Sequence, residues 1–184
     1  MGRTLIAAVV GMIILFAYQA LSWTVLPTHK DALRYTPDQD AIITCLSQHL
    51  KEDAVYGIPT AAPGEEMGKS RHIGKPWAMI QYHNAWDADW VPHMVIGFIL
   101  AFLSALLVSI VLSSTNTSLT TFMSRYLVVI GFGIFIVLQA KLMEWNWFDT
   151  PSNYLMGEII DPLVSWALCG IWLAAFLKNR RKAA

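Results

Sequence analysis

The sequence predicts an all-α membrane protein, with four transmembrane helices and a small extracytoplasmic cap that contains one amphipathic helix. Three observations lead to this prediction. The 184 residues are 55% hydrophobic and only 14% charged, which is too apolar for an ordinary soluble domain. Four segments stay apolar for about 20 residues, enough to cross a hydrocarbon core roughly 30 Å thick. Backbone amides in lipid must be satisfied within their own segment, so each of these segments is expected to be helical.

The predicted spans differ in how their charged residues are placed. Lys141 lies near the end of the third span, and its amine is expected to extend toward the membrane surface. Asp161 lies at the edge of the fourth span, directly before Pro162. This pair is typical of an N-cap residue followed by a proline in the first helical turn. The four predicted spans are Thr4–Ser22, Met94–Ser113, Tyr126–Met143 and Ile159–Leu177.

The first span has a competing interpretation as a cleaved signal peptide, with Ala20-Leu21-Ser22 as a small-x-small cleavage site. Its apolar stretch exceeds the about 7–15 residues usual in signal sequences, which favours an uncleaved anchor. The predicted regions are then a signal anchor at residues 1–22, the cap at 23–91, and a three-helix transmembrane region with a basic tail at 92–184.

Basic residues predict the orientation of the spans. Cytoplasmic flanks of transmembrane helices carry an excess of lysine and arginine, so these residues indicate that both termini are cytoplasmic and that the cap lies outside. The residues concerned are Arg3, Arg125, Lys178, Arg180, Arg181 and Lys182.

The cap is expected to contain one amphipathic helix and one irregular segment. Thr36-Pro37-Asp38-Gln39 predicts a helix start, with Thr36 as N-cap and Gln39 completing a capping box. Apolar residues then recur at helical spacing, which predicts an amphipathic helix from Pro37 to Lys51 with Cys45 on its buried face. The glycines and prolines of Gly57–Pro76 predict an extended loop that wraps around its neighbours.

Ionisable residues concentrate where the outer ends of the predicted helices would meet. Histidine and carboxylate side chains can hold a metal or carry protons, and ionisable groups at membrane depth are costly enough to suggest function. No HExxH or paired ExxH motif specifies a metal geometry, so the identity of any metal or cofactor stays open. The candidate site residues are His83, His93, Glu144, Glu158 and Asp161.

The same residues also have simpler structural explanations. Lys141 and Glu144 are three residues apart, so a local ion pair is the favoured prediction. In the alternative, Lys141 pairs with Glu158 or Asp161 on the adjacent helix and joins the two helix ends.

Tryptophans accumulate on the same predicted side of the membrane. An aromatic belt at the lipid headgroups explains them, and the low number of aromatic residues on the other side indicates a binding surface as the alternative. This rim comprises Trp77, Trp86, Trp90, Trp145 and Trp147.

Polar and small residues inside the spans predict contacts between helices. Gln19 is expected to form an interhelical hydrogen bond, and Ala7 with Gly11 forms a small-xxx-small pair that allows close helix packing. All five histidines lie outside the spans or at their rim, so a haem in the middle of the membrane is not expected.

Two segments of the cap resemble parts of an uncharacterised family of bacterial four-helix integral membrane proteins. They are Tyr35-Thr36-Pro37-Asp38-Gln39-Asp40-Ala41-Ile42 and Gly74-Lys75-Pro76-Trp77-Ala78, with Tyr82-His83 shortly afterwards. The resemblance extends over most of the chain. It implies the multi-pass topology and a bacterial inner (cytoplasmic) membrane, and it implies no activity or catalytic residue.

The leading functional hypothesis is a non-enzymatic binding or accessory protein that engages a partner protein or lipid through its cap and its tryptophan rim. The alternative is a metal-dependent or acid/base enzyme at the membrane boundary that uses the His/Glu/Asp cluster. The expected partners are the lipid bilayer and either another membrane protein or further copies of this chain. A formal net charge of zero gives no electrostatic reason to expect nucleic acid.

Overall fold

The computed structural model of the protein describes residues 1–65, 72–115 and 118–178. The chain forms two compact units, one made of Met1–Arg34 with Asp89–Ala184 and the other of Tyr35–Ala88. Three basic residues of the C-terminal tail used in the orientation argument, Arg180, Arg181 and Lys182, lie outside the described residues.

The first unit is built from four long helices. Within the described residues, these four are long and apolar enough to cross a membrane, which agrees with the predicted number of spans. They are α1 (Gly2–Thr24), α3 (Trp90–Ser114), α4 (Phe122–Phe148) and α5 (Ser152–Phe176). The end of the bundle where α1 finishes and α5 begins is called the His29 end below, because His29 lies there.

The fourth predicted span starts earlier than expected, which removes one explanation for Asp161. α5 begins at Ser152, where the amides of Tyr154 and Leu155 donate to the carbonyl of Pro151. Asp161 and Pro162 therefore lie inside the helix. The prediction that Asp161 is an N-cap is wrong, because the helix already begins at Ser152. Its first part, before Asp161, is less apolar than the strongly hydrophobic part that follows.

The third span contains a wider turn that its sequence pattern does not reveal. The backbone of Val137–Lys141 is π-helical, and the amide of Leu142 donates to the carbonyl of Val137. The extra residue rotates the following segment by about 100° relative to a continuous α-helix. The helix then continues from Leu142 to Phe148, beyond the predicted end of the third span at Met143.

Small residues allow α1 to pack closely between α3 and α5. Ala7 and Ala8 are fully buried, and a Cβ added at Gly11 would lie 3.0 Å from Cβ of Ala105 on α3 and 3.3 Å from Sγ of Cys169 on α5. The predicted pairing of Ala7 and Gly11 at a helix contact is thus confirmed. α5 also packs against α4, whereas the described parts of α3 and α4 touch only slightly.

Arg125 has a structural role beyond its use as an orientation signal. It lies within α4 and is buried, with Nε donating to the carbonyl of Ala174 at 2.8 Å and Nη1 to that of Leu119 at 3.0 Å. The bond to Ala174 joins α4 to the C-terminal turn of α5 at the end of the bundle opposite His29, and the bond to Leu119 holds the segment that precedes α4.

The second unit contains a helix and, contrary to the all-α prediction, a two-stranded sheet. Helix α2 (Gln39–His49) has Asp38 as N-cap and contains no buried residue, so Cys45 is exposed rather than buried. Strands β1 (Ala54–Ile58) and β2 (Ala78–Tyr82) pair antiparallel, with Ala54 opposite Tyr82 and Ile58 opposite Ala78. Their β-branched and aromatic residues suit a pleated surface. The predicted irregular segment begins later than expected, because Gly57 and Ile58 belong to β1. Its residues 66–71 lie outside the described residues.

Candidate functional site

Four polar side chains meet inside the bundle near its His29 end. The carboxylate of Asp161 accepts from Oγ of Ser22 at 2.5 Å and from Nε2 of Gln19 at 3.3 Å. It also lies 3.0 Å from Nε2 of His29. These residues, called the Asp161 cluster below, join α1, the turn that follows it and α5. The predicted interhelical hydrogen bond of Gln19 is confirmed.

His29 reaches the cluster because the chain turns back after α1. Pro27–His29 forms one 3₁₀ turn, and the imidazole stacks on the indole of Trp23 with ring centroids 3.9 Å apart. The next residues are held on the start of α5, where Nδ2 of Asn153 donates to the carbonyl of Asp31 at 2.7 Å. The His29 side chain is consequently only 3% exposed.

Gly157 makes the space for the His29 ring. A Cβ built at Gly157 would lie 2.5 Å from Cε1 and 2.6 Å from Nδ1 of His29, closer than real atoms approach. The imidazole therefore lies directly against the backbone of α5, and only glycine is compatible with this arrangement.

The hydrogen bonds of His29 indicate its tautomer. Within residues 1–65, 72–115 and 118–178, no hydrogen-bond partner reaches its buried Nδ1. An imidazolium would bury an unpaired N–H there, which is costly. The neutral ring with its hydrogen on Nε2 satisfies the contact with Asp161 and leaves only a lone pair at Nδ1. We assign that tautomer from the hydrogen-bond pattern.

An ion pair lies on the next turn of α5 toward its start. Nζ of Lys141 donates to Oε2 of Glu158, and the two side chains are 27% and 15% exposed. The favoured prediction of a local Lys141–Glu144 pair is corrected by this contact, and the interhelical alternative with Glu158 is the one observed. The π turn ends at Lys141 and changes the direction in which the helix presents it.

Gln19 and Asp161 of the cluster line one cavity of about 370 Å³ together with both residues of the ion pair. It lies on the side of the bundle where α3 and α4 are apart, and all four long helices contribute to its wall. The polar lining comprises Gln19, Ser104, Lys141, Glu158, Asp161 and Ser165. The remaining lining is Leu15, Phe16, Gly97, Leu100, Ala101, Ile136, Pro162 and Trp166. The arrangement can hold a molecule with an apolar body and one polar group.

The structure brings together two of the five predicted site residues. Glu158 and Asp161 both line the cavity. His93 and Glu144 are exposed, and the described lining of the cavity includes neither of them. Among residues 1–65, 72–115 and 118–178, no three His, Cys, Asp or Glu side chains are grouped as they would be to hold a metal ion.

His83 lies in the second unit, where it helps to close the hairpin. Asp53, directly before β1, accepts from the amide of Asn84 at 2.9 Å and lies 3.2 Å from Nδ1 of His83. The hydrogen bond from the Asn84 backbone, followed by that from His83, lowers the pKa of Asp53. His83 is 71% exposed and contacts Asp53 at the base of the hairpin.

The tryptophans of the predicted rim all have substantial exposure. Trp77 and Trp86 belong to the second unit, and Trp90, Trp145 and Trp147 lie at the His29 end of the first. Exposure of this kind fits both a lipid-facing belt and a surface for a partner.

Sequence reasoning missed His29 as a site residue, together with Ser22. The available signal was the proximity of His29 to the end of the first span, with Pro27 between them to turn the chain. On α5 the available signal was Gly157, directly before Glu158, because a glycine inside a helix leaves room for a side chain such as that of His29. Comparison with protein-family models, with curated proteins and with solved structures found no match to this chain.

Proposed function

We propose that this chain is an integral inner-membrane binding protein that holds an amphipathic molecule in the cavity between its four long helices. The observation that carries the proposal is the composition of the cavity wall. Charged and amide side chains from α1, α4 and α5 share it with apolar and aromatic ones. Small-molecule sites have this character, being mostly apolar with a few polar groups that orient the ligand.

The depth of the polar groups supports the same proposal. Because an α-helix rises about 1.5 Å per residue, Asp161 lies about 14 Å along α5 from Ser152. Ionisable groups placed so far along a membrane-spanning helix are costly and are usually functional. In this proposal α1 is an uncleaved anchor and not a signal peptide, since it supplies Gln19 to the cavity and Ser22 to the Asp161 cluster.

The exposed tryptophans would contribute contacts with lipid and with a protein partner to the proposed function. Trp90, Trp145 and Trp147 would contact lipid headgroups around the His29 end, and Trp77 and Trp86 would form a surface for a protein partner. The second unit would lie on the extracytoplasmic side, with both termini in the cytoplasm, as the basic residues and the resemblance to bacterial inner-membrane proteins imply. The enzymatic alternative has less support, because His93 and Glu144 stay exposed.

Filling the cavity is expected to abolish binding. Ser104 lies on α3 and lines the cavity, so the Ser104→Trp variant should lose any lipid or other amphipathic molecule that co-purifies with the wild type. Native mass spectrometry after extraction in a mild detergent measures the bound mass. The control is Leu103→Trp, the neighbouring residue on the same helix, which is 52% exposed and does not line the cavity. Equal retention by both variants would contradict the proposed site.

The two native cysteines allow a direct test of the orientation. Cys45 is exposed on α2, whereas Cys169 is fully buried. A membrane-impermeant maleimide applied to spheroplasts should label Cys45, and the Cys45→Ser variant should show no labelling. Labelling confined to inverted membrane vesicles would place the second unit in the cytoplasm and overturn the orientation.

A further inference from the structure

We propose that the polar group held in the cavity is an ammonium group, carried on an apolar body. This inference rests on the proposed function and names the class of ligand. Three charged side chains line the cavity: the positive charge of Lys141 faces the negative charges of Glu158 and Asp161. Lys141 and Glu158 neutralise each other as an ion pair, so the cavity keeps one negative charge from Asp161.

The surroundings of Asp161 keep that charge in place. Ser22 and Gln19 donate to the carboxylate, and neutral His29 donates through Nε2. Each contact uses Asp161 as an acceptor, as expected of an ionised carboxylate. Because His29 is neutral, it orients the carboxylate without cancelling its charge. A cation entering the cavity would supply the missing positive charge.

The aromatic side chains of the wall select for the same class of ligand. Phe16 of α1 and Trp166 of α5 both line the cavity with Asp161. Phe16 is held by stacking on Phe98 with centroids 3.7 Å apart, and Trp166 packs near Phe132 at 6.4 Å. Aromatic faces attract ammonium groups and also cover apolar chains. An alkylammonium compound matches both the charge and the wall, whereas an anionic amphiphile would meet unpaired negative charge.

Two sources could supply this chemistry. One is a membrane lipid with a primary ammonium headgroup, entering on the side where α3 and α4 are apart. The other is a free hydrophobic amine. Both would place the nitrogen near Asp161 and the apolar body against the wall.

The test uses Trp166 as a reporter. The full-length protein in detergent is titrated with a bromoalkyl ammonium salt and, separately, with the bromoalkyl alcohol of the same chain length. Bromine quenches indole fluorescence at short range, so the signal from the cavity is the difference between wild type and Trp166→Phe. We expect the ammonium probe to bind at least about tenfold more tightly than the alcohol. Asp161→Asn and Glu158→Gln, which each remove one negative charge, should reduce that preference, and Ser109→Ala, on α3 but outside the cavity lining, should keep it.

The outcomes separate this inference from the proposed function. Equal affinity for the two probes would uphold the cavity as a binding site and overturn the preference for ammonium. Absence of quenching by either probe would overturn both. If Asp161→Asn fails to fold, Glu158→Gln alone decides, and an unchanged preference in that variant contradicts the inference. Nanodiscs containing brominated phosphatidylethanolamine or brominated phosphatidylglycerol then distinguish the sources: preferential quenching by the former identifies a lipid headgroup, and quenching by neither identifies a free amine. Equal quenching by the two lipids would contradict the preference for ammonium.

Discussion

Asp161→Ala is expected to lower the free energy of unfolding by about 3–5 kcal/mol, because each buried donor left without an acceptor costs about 1–3 kcal/mol. The variant leaves the buried donors of Ser22 and His29 without their acceptor, and the exposed Gln19 loses its bond to the same carboxylate. Equilibrium unfolding in mixed detergent and dodecyl sulfate measures the change.

The control for this variant is another polar group buried in the same bundle. Ser109 on α3 is fully buried, and its hydroxyl has no hydrogen-bond partner among the described residues. Ser109→Ala should therefore change the stability by less than about 0.5 kcal/mol or increase it. Similar losses in the two variants would show that Asp161 contributes no more than an ordinary buried side chain.

Gly157→Ala is the second variant with a large expected effect. Helix propensity alone would stabilise it by about 1 kcal/mol, since alanine is favoured over glycine inside a helix. The added Cβ would instead meet the imidazole of His29 at 2.5 Å and displace it from Asp161. We expect a net loss of about 2 kcal/mol, the scale of one hydrogen bond to a charged group. The measurement is the same unfolding equilibrium.

A double-mutant cycle distinguishes a clash with the His29 ring from a general packing defect. In the His29→Ala background the obstructing ring is absent, so Gly157→Ala should no longer destabilise the protein. Gly131→Ala on α4 is the matched control, because a Cβ there meets no atom within 4 Å. The proposed role of Gly157 is refuted if its effect persists in the His29→Ala background.

The parts of the fold that depend on hydrophobicity could be predicted from sequence. Four runs of apolar residues correspond to four long helices, because a span must satisfy its own backbone hydrogen bonds. The contacts of Ala7 and Gly11, and the hydrogen bond of Gln19, were also predicted correctly. In each case the residue type itself limits what it can do between helices.

The errors arose where local patterns have more than one structural solution. Asp161-Pro162 can start a helix or lie inside one, and the choice depends on whether the preceding residues are helical. Lys141 can pair with Glu144 or with Glu158, and the π turn decides which side chain it faces. The strands of the second unit depend on pairing between residues far apart in sequence, and no local sequence pattern predicts that pairing.

The order of apolar and charged residues along the chain is enough to predict four long apolar helices with ionisable residues concentrated near their ends. Which of those ionisable residues act together depends on how the helices pack. Hydrophobic length is a property of each segment alone, whereas a polar site requires side chains from separate helices to reach one place. His29 shows the difference: it follows a predicted span like an ordinary loop residue, yet the turn at Pro27 and the space at Gly157 bring it to Asp161 inside the bundle.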